Sequence, residues 1–234
     1  MAERVKSKRP YESPRRREQA RATRLEMLEA AQRLFERNGY AATTMAAIAS
    51  EARVALKTVY IAFETKSGLL RALWNLRLRG GQDEVPVGQQ QWYQAVLNEP
   101  DAERQLRMNA HNSAQGKVRI GGLLEVIRSA APTDPEIAAL WNRIQTEYHA
   151  NQGAIVQSIN EKGALNRALD VSQATDVLWT LNHPNTWQLL VGQRGWTAEQ
   201  YELWTADLAV EQLLGRSAHA GRGAARGRSS SSRR

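Results

Sequence analysis

Three polar side chains within four residues give the clearest indication of chemistry in this sequence. Lys57, Thr58 and Tyr60 lie around Val59 and Phe63, two apolar residues four positions apart. That spacing predicts a short helix that buries one side and leaves the polar residues on the other. An amine, a hydroxyl and a phenol on such a helix suit the phosphates and base edges of a DNA groove. We therefore expect this helix to be a recognition helix.

The residues before it predict a second short helix, joined to the first by a tight turn. Met45, Ile48 and Ala49 follow Thr44 on one helical face. The hydroxyls of Thr43 and Thr44 can cap this helix, and they can also face a phosphate together with its free N–H groups. The two short helices are expected at about residues 44–52 and 56–63.

A longer helix is predicted on each side of this pair. The first covers residues 18–38, with Leu28, Ala31 and Phe35 on one face, and it stops at Gly39. The other begins after Thr65, which caps it, and its first turn carries Lys66. A cation there opposes the helix dipole, so a phosphate ligand explains Lys66 better than a structural role. Its apolar residues are Leu69, Leu70, Leu73 and Trp74.

Residues 27–70 resemble the N-terminal domain of the TetR family of bacterial regulators. The matching landmarks are Leu34-Phe35, Gly39-Tyr40, Thr43-Thr44, Ile48-Ala49, Thr58-x-Tyr60-x-x-Phe63 and Lys66. The resemblance implies an all-α protein, in which an N-terminal three-helix helix-turn-helix DNA-binding domain precedes a C-terminal helical ligand-binding and dimerisation domain. It also implies that Thr58, Tyr60 and Lys66 mainly hold phosphates, which position the helix without reading sequence.

Three positions depart from the family pattern. Arg53 stands where a glycine is usual, and Ala55 stands where a serine commonly caps the third helix, at a cost of about 1 kcal/mol. Leu56 occupies a groove-facing position that is often polar. Leu56 is suited to thymine methyl groups and Lys57 to the O6 and N7 atoms of guanine.

The net charge of +8 is unevenly distributed. Residues 1–17 carry +5, residues 18–80 carry +4 and residues 215–234 carry +6, whereas residues 81–214 carry −7. This segregation indicates a polyanionic partner for one part of the molecule, although basic tails also aid solubility. We predict a basic disordered arm at 1–17, a DNA-binding domain at 18–66, a ligand-binding and dimerisation domain at 67–214 and a basic disordered tail at 215–234.

The remainder of the chain reads as helices that are rich in tryptophan. They are expected at about 101–113, 115–130, 135–162, 171–182, 185–192 and 198–214. By resemblance, this domain encloses an apolar ligand cavity and pairs its last two long helices with those of a second copy. Trp141 and Tyr148, two turns apart on one helix, are the predicted cavity wall, with His111 as a polar contact and Trp179 as a further ligand residue. The predicted dimer seam contains Leu178, Trp204 and Leu208, with Trp179 beside them.

Other kinds of chemistry find little support. The sequence has no cysteine, its four histidines form no metal-binding pair, and no phosphate-binding glycine loop or nucleophile elbow occurs. We expect no catalytic site, no metal and no cofactor. No apolar run approaches the roughly 20 residues of a membrane span, so a cytoplasmic protein is the expectation.

The leading hypothesis is a homodimeric repressor that binds a palindromic DNA operator and is released by a small apolar ligand. The alternative is an architectural protein that binds DNA non-specifically through its basic tails. A third reading is an enzyme that uses the C-terminal cavity, with turnover dependent on His111 or His149.

Overall fold

The fold was analysed in a computed structural model that describes residues 14–79 and 86–215, apart from the side chains of Pro14 and Arg79. The described residues form ten helices and contain no strand, which confirms the all-α prediction. They divide into two compact units, the first ending at Leu73 and the second beginning at Trp74. Most of the predicted N-terminal arm and nearly all of the predicted C-terminal tail lie outside the described residues.

Four helices contribute to the first unit. They are α1 (Pro14–Ala42), α2 (Met45–Glu51), α3 (Leu56–Phe63) and α4 (Lys66–Arg79). The helical hydrogen-bonding pattern of α1 continues past Gly39, but Gly39 itself has a φ of 78° and breaks the regular helix there. Glycine reaches this conformation at little cost, so the predicted stop is confirmed as a kink.

The start of α1 differs from the expectation. Residues 14–17 were predicted to belong to a disordered arm, yet they are helical. The rest of α1 follows its apolar pattern, because Met27, Leu28 and Phe35 are buried. These side chains form the core of the first unit together with Ile48 of α2, Val59 and Phe63 of α3, and Leu69 and Leu70 of α4.

Two predicted threonine caps are present, at the starts of α2 and α4. The Thr44 hydroxyl accepts a hydrogen bond from the backbone N–H of Ala47 at 3.1 Å, at the start of α2. The Thr65 hydroxyl accepts one from the N–H of Gly68 at 2.9 Å, at the start of α4. Ala55 precedes α3 and supplies no side-chain cap, so α3 depends on burial of its apolar side for stability.

The second unit contains the end of α4 and six further helices. These are α5 (Gln91–Leu97), α6 (Ala102–Ala130), α7 (Pro135–Glu161), α8 (Val171–Leu181), α9 (Pro184–Trp187) and α10 (Ala198–Leu214). A 3₁₀ turn covers Val87–Gln89, and a π-helical segment covers Gln188–Gln193. Caps predicted at Asp134 and Thr197 are confirmed at the starts of α7 and α10.

Helix α6 is the centre of this unit and packs against α7 and α10. The sequence predicted two helices in its place, at 101–113 and 115–130. That division is wrong, because the helix continues through a stretch with few large apolar side chains but no proline. An ion pair between Arg107 and Asp207, 2.9 Å apart, also joins α6 to α10.

The predicted dimer seam is only partly at the surface. Leu178 is 0% exposed and lies in the hydrophobic core between α8, α7 and α10, so its side chain cannot meet a second copy. This corrects its assignment to the seam: α8 turns Leu178 inward with Ala174. Trp204 and Leu208 are partly exposed, and Leu203 beside them is exposed.

Arg53, in the turn between α2 and α3, has a φ of 56°. The left-handed region costs a residue with a Cβ about 1–2 kcal/mol. Glycine avoids this strain, but it also raises the conformational entropy of the unfolded chain, which offsets part of the gain. We expect Arg53→Gly to raise the free energy of unfolding of the first unit by about 0.5–1 kcal/mol in urea, followed by circular dichroism. Arg53→Ala, which keeps the strain, should leave it nearly unchanged. Equal stabilities of the two variants would contradict the strain at this position.

Candidate nucleic-acid interface and ligand cavity

Helix α3 exposes the residues that were predicted to meet DNA. Val59 and Phe63 are buried, whereas Leu56 is 41% exposed, Tyr60 is 48% exposed and Lys57 is also exposed. One face therefore packs on the first unit and the opposite face offers an amine, a phenol and an apolar side chain. The sequence pattern predicted this division correctly, because the period of the buried residues is that of a helix.

Two further residues of α3 refine this surface. Ile61 is 73% exposed and was missed from sequence, although it lies off the stripe of Val59 and Phe63 and next to Tyr60. Thr58 is only partly exposed. The exposed side of α3 is thus more apolar than the sequence analysis assumed, which suits contacts with thymine methyl groups.

Arg24 of α1 holds the end of α3 in place. Its guanidinium donates a hydrogen bond to the carbonyl oxygen of Ala62 at 2.6 Å and lies 4.1 Å from the centre of the Phe63 ring. A cation near the last carbonyls of a helix also opposes the partial negative charge there. Arg24 therefore positions the recognition helix, and its sequence position on a polar face gave no sign of this role.

Lys66 has a structural role that the sequence analysis had set aside. Its ammonium donates hydrogen bonds to the carbonyl oxygens of Tyr40 and Thr43, at 2.8 and 3.0 Å, and lies 4.2 Å from the centre of the Tyr40 ring. These carbonyls lie at the end of α1 and in the turn to α2, where backbone acceptors lack helical partners. The judgement that structure explains Lys66 weakly is therefore wrong, and its contact with phosphate stays a prediction.

The two neighbouring threonines do different things. Thr43 is buried, and its hydroxyl donates to the carbonyl oxygen of Gly39 at 2.8 Å, with Leu34 as the other acceptor nearby. Its side chain faces α1, which corrects the expectation that it faces a phosphate. Thr44 is exposed at the start of α2, so its hydroxyl and the free N–H groups around it keep that possibility.

A cavity of about 140 Å³ lies inside the second unit. Its wall is mainly apolar and aromatic, and includes Trp74, Leu78, Trp92, Ile120, Leu124 and Ile144. An apolar space of about this size, roughly 150 Å³, holds one benzene molecule in another protein. The cavity is therefore large enough for a ligand with one ring.

One charged side chain, Lys117 of α6, lines this cavity while only 6% exposed. Burial lowers the pKa of Lys117 to about 7, because the charged form loses its hydration. Its ammonium lies 5.9 Å from the centre of the Tyr148 ring and 5.4 Å from that of Tyr201. In the described ranges no carboxylate forms an ion pair with it.

Hydrogen bonds run from Lys117 to the backbone of Asn182, which follows the last residue of α8. The ammonium donates to the hydroxyl of Ser113, one turn earlier on α6. The Tyr148 hydroxyl, 3.0 Å from that of Ser113, donates to the carbonyl oxygen of Asn182 at 2.8 Å. Since a phenol has one hydrogen, Ser113 must be the donor to Tyr148. The order of donors is thus set, and burial raises the pKa of Tyr148 above its usual range.

Of the four predicted ligand residues, the structure places only Tyr148 on the cavity wall. His111 is exposed, with Nδ1 3.0 Å from a carboxylate oxygen of Glu202. Trp141 shares a helical face with Tyr148, about 10 Å away along the helix, but it does not line the cavity. Trp141 and Trp179 instead meet His183 edge to face, at ring-centre distances of 6.4 and 4.7 Å.

Lys117 was not among the predicted ligand residues, although its place in the sequence carries a signal. Lys117 continues the stripe of Ala110, Ala114 and Leu124 along α6, at spacings of three, four and seven residues. A lysine in an apolar stripe is rarely buried without a function or a partner. Gln145, which also lines the cavity, carried no such signal.

Comparison with known families identifies the first unit. Residues 27–73 match the family described as bacterial regulatory proteins, tetR family. The N-terminal domain of this chain is a TetR-family domain. Its limits agree with the residues that carry the resemblance in sequence, and a family of regulatory proteins agrees with the expectation of a regulator rather than an enzyme. Among curated proteins, none matches the sequence significantly.

Solved structures share the fold across both units. NalD of Pseudomonas aeruginosa, described as the secondary repressor of the MexAB-OprM multidrug efflux pump, is 18% identical, with a TM-score of 0.65 over 84% of this chain and 98% of NalD. A TetR transcription regulator of Haloarcula marismortui is 18% identical, with a TM-score of 0.62 over 82% and 99%. SmeT in complex with triclosan is 16% identical, with a TM-score of 0.63 over 82% and 92%. These likenesses show that this chain shares the fold of these three proteins.

Two other observations concern the part of the chain that the structure describes. No helix there is both long enough and apolar enough to cross a membrane. No group of three or more histidine, aspartate or glutamate side chains there could hold a metal ion.

Replacing Lys66 tests its structural role in the TetR-family domain. Lys66→Met should lower the free energy of unfolding by about 1–3 kcal/mol, because two carbonyls lose a charged donor. Lys57→Met, an equal change at an exposed position, should alter it by less than about 0.5 kcal/mol. Urea denaturation followed by circular dichroism measures both. If Lys66→Met were as stable as Lys57→Met and only its DNA affinity fell, phosphate binding would be the main role of Lys66.

The buried lysine predicts a pH dependence of stability. Below pH 7, Lys117 is charged in both the folded and the unfolded chain. Between pH 7 and 9 the folded protein loses that proton first, since the unfolded pKa is near 10.5, so stability should rise with pH by up to about 1.4 kcal/mol per unit. Urea denaturation at pH 6 to 9 measures the slope. Lys117→Met should flatten it and Arg119→Met, on the exposed side of α6, should not; equal slopes would contradict the prediction.

Proposed function

We propose that this chain is a homodimeric transcriptional repressor that binds a palindromic DNA operator and is released by a small molecule held in the cavity of the second unit. The observation that carries the proposal is the exposed surface of α3 in a TetR-family domain. A recognition helix needs one buried face and one face free to enter the major groove. Helix α3 has both, and Arg24 fixes its end.

The exposed residues divide into two proposed roles. Lys57 reaches guanine acceptors, and Leu56 and Ile61 contact thymine methyl groups. Tyr60 and Thr44 donate to phosphates at the edges of the groove, where the N–H groups at the start of α2 add partial positive charge. Arg53 is exposed in the turn before α3, and its guanidinium is suited to contact the same DNA phosphates.

A dimer follows from the geometry of DNA rather than from a contact in this chain. A helix of eight residues reads only a few base pairs, so two copies on a palindrome are needed for a selective site. The surface proposed for the second copy is on α10, where Leu203 is exposed and Trp204 and Leu208 are partly exposed.

Release by a ligand rests on the cavity. A molecule that binds better to the form of the protein with low DNA affinity lowers operator occupancy by linkage. NalD is described as a repressor, and SmeT has been solved with triclosan, so both parts of the proposal have a parallel among proteins with this fold. Helix α4 supplies Lys66 to the first unit and Trp74 and Leu78 to the cavity wall.

Selection of bound sequences from a random duplex pool tests the proposal. The wild type should enrich a palindrome whose half-sites are about one helical turn apart, near 34 Å. Lys57→Ala should retain the palindrome but relax one base pair in each half-site, with a loss of roughly 1–3 kcal/mol per lost guanine contact. Titration of the selected site at fixed salt measures that loss.

Removing residues 1–13 and 216–234 provides the control for the basic segments. We expect weaker binding to all duplexes and a smaller salt dependence, with the preference for the selected site retained. Loss of nearly all affinity would favour the architectural alternative. An enriched site without a palindrome would contradict the dimer, and no enrichment at all would rule out the operator-binding function.

A further inference from the structure

The charge of Lys117 is unbalanced within its own surroundings. On α6, the nearby acid Glu125 pairs with Arg128 at 2.6 Å. On α7, Glu147 reaches the cavity edge but is exposed, and it makes no described contact with Lys117. The groups that do approach the ammonium are the Ser113 hydroxyl and the Tyr148 and Tyr201 rings, none of which is an anion. A buried ammonium among neutral groups is costly unless a counter-charge arrives from elsewhere.

The amide of Gln145, on the cavity wall, is a second donor without a partner among the described residues, and its bond with His183 determines its orientation. The ring of His183 accepts a hydrogen bond at Nδ1 from the backbone N–H of Asn185, at 3.1 Å, so the ring proton is on Nε2. That Nε2–H then donates to Oε1 of Gln145 at 2.7 Å. Burial, followed by the charges of Lys117 and Arg128, lowers the pKa of His183 and keeps the ring neutral.

This arrangement decides which way the Gln145 amide points. The amide oxygen accepts the hydrogen bond from Nε2–H of His183, so the NH₂ group makes no hydrogen bond with His183. That nitrogen is buried and has no hydrogen-bond partner in the part of the chain described. Gln145 lines the cavity and lies one turn before Tyr148 on the same side of α7, and Tyr148 is joined to Lys117 through Ser113.

We propose that the cavity binds a small carboxylate with a single ring, whose two oxygens are held by the ammonium of Lys117 and the amide NH₂ of Gln145. A carboxylate supplies both the missing charge and the acceptor that the amide lacks. The ring occupies the apolar remainder of the cavity, between Trp92, Ile120 and Ile144. This inference rests on the proposed function, since it names the class of molecule that releases the repressor.

The proposal differs from the expectation of a purely apolar ligand. A neutral hydrocarbon would fill the same space but would leave Lys117 and the Gln145 amide unpaired, which is unfavourable for buried donors. A cationic ligand would add a second positive charge beside the first. A carboxylate also restores the proton on Lys117, because an adjacent anion favours the charged form of an amine.

The experiment compares carboxylates with their uncharged amides. Calorimetric titration of the full chain uses benzoate against benzamide and cyclohexanecarboxylate against cyclohexanecarboxamide. We expect at least one carboxylate to bind about tenfold or more tightly than its amide. At pH 8 its binding should take up close to one proton, measured in buffers of different ionisation enthalpy, since the free lysine has a pKa of about 7.

Three variants assign the effect to the cavity. Lys117→Met should reduce carboxylate affinity at least tenfold, abolish proton uptake and leave amide binding within about twofold. Gln145→Leu should weaken the carboxylate while retaining proton uptake. Arg119→Met removes a positive charge two residues away on the exposed side of α6 and should change neither. Urea denaturation of each variant establishes that it is folded.

The outcomes separate this inference from the proposed function. If no carboxylate binds better than its amide, or if Lys117→Met binds both equally, the carboxylate site is wrong, while a repressor with another ligand stands. If benzoate or cyclohexanecarboxylate binds through Lys117 but leaves the selected operator occupied in a mobility-shift assay, the site stands and the release mechanism fails. Release of the operator by the carboxylate, lost in Lys117→Met, supports both.

Discussion

The first unit depends on how the end of α1 is closed. Gly39 kinks the helix, and the Thr43 hydroxyl donates a hydrogen bond to the Gly39 carbonyl. Lys66 donates to the carbonyls of Tyr40 and Thr43. These bonds satisfy acceptors that a helix end leaves exposed, and they join the start of α4 to the turn before α2. Because α2 begins at that turn, its direction follows from the same contacts. Arg24 then connects α1 to the end of α3.

The surface offered to DNA is therefore positioned by residues that do not face it. Arg24 and Lys66 are cations in a basic segment, and both donate hydrogen bonds to backbone carbonyls inside the TetR-family domain. The exposed residues of α3 are Leu56, Lys57, Tyr60 and Ile61. Net charge alone overstates the number of cations free for phosphates, because a carbonyl at a helix end competes for the same donors.

The second unit shows the opposite arrangement, in which polar groups face inward. Lys117, Ser113 and Tyr148 form a chain of donors that ends at the carbonyl of Asn182, and the chain leaves the ammonium without a counter-charge. A well-packed apolar side chain in place of Lys117 would give a more stable core than the buried charge does. Keeping a buried cation beside a cavity is consistent with a site whose occupant supplies the negative charge, and binding and stability are then coupled through one proton.

The amino-acid sequence was enough to predict most of the helices, most of their caps and the buried side of α3, because these follow from spacing of three and four residues and from local hydrogen bonds. It also determined the family of residues 27–73. The tertiary structure was needed to place Leu178 in the core, Lys66 on backbone carbonyls and Lys117 at a cavity. Each of these depends on which distant element a side chain meets, and helical periodicity contains no information about that partner.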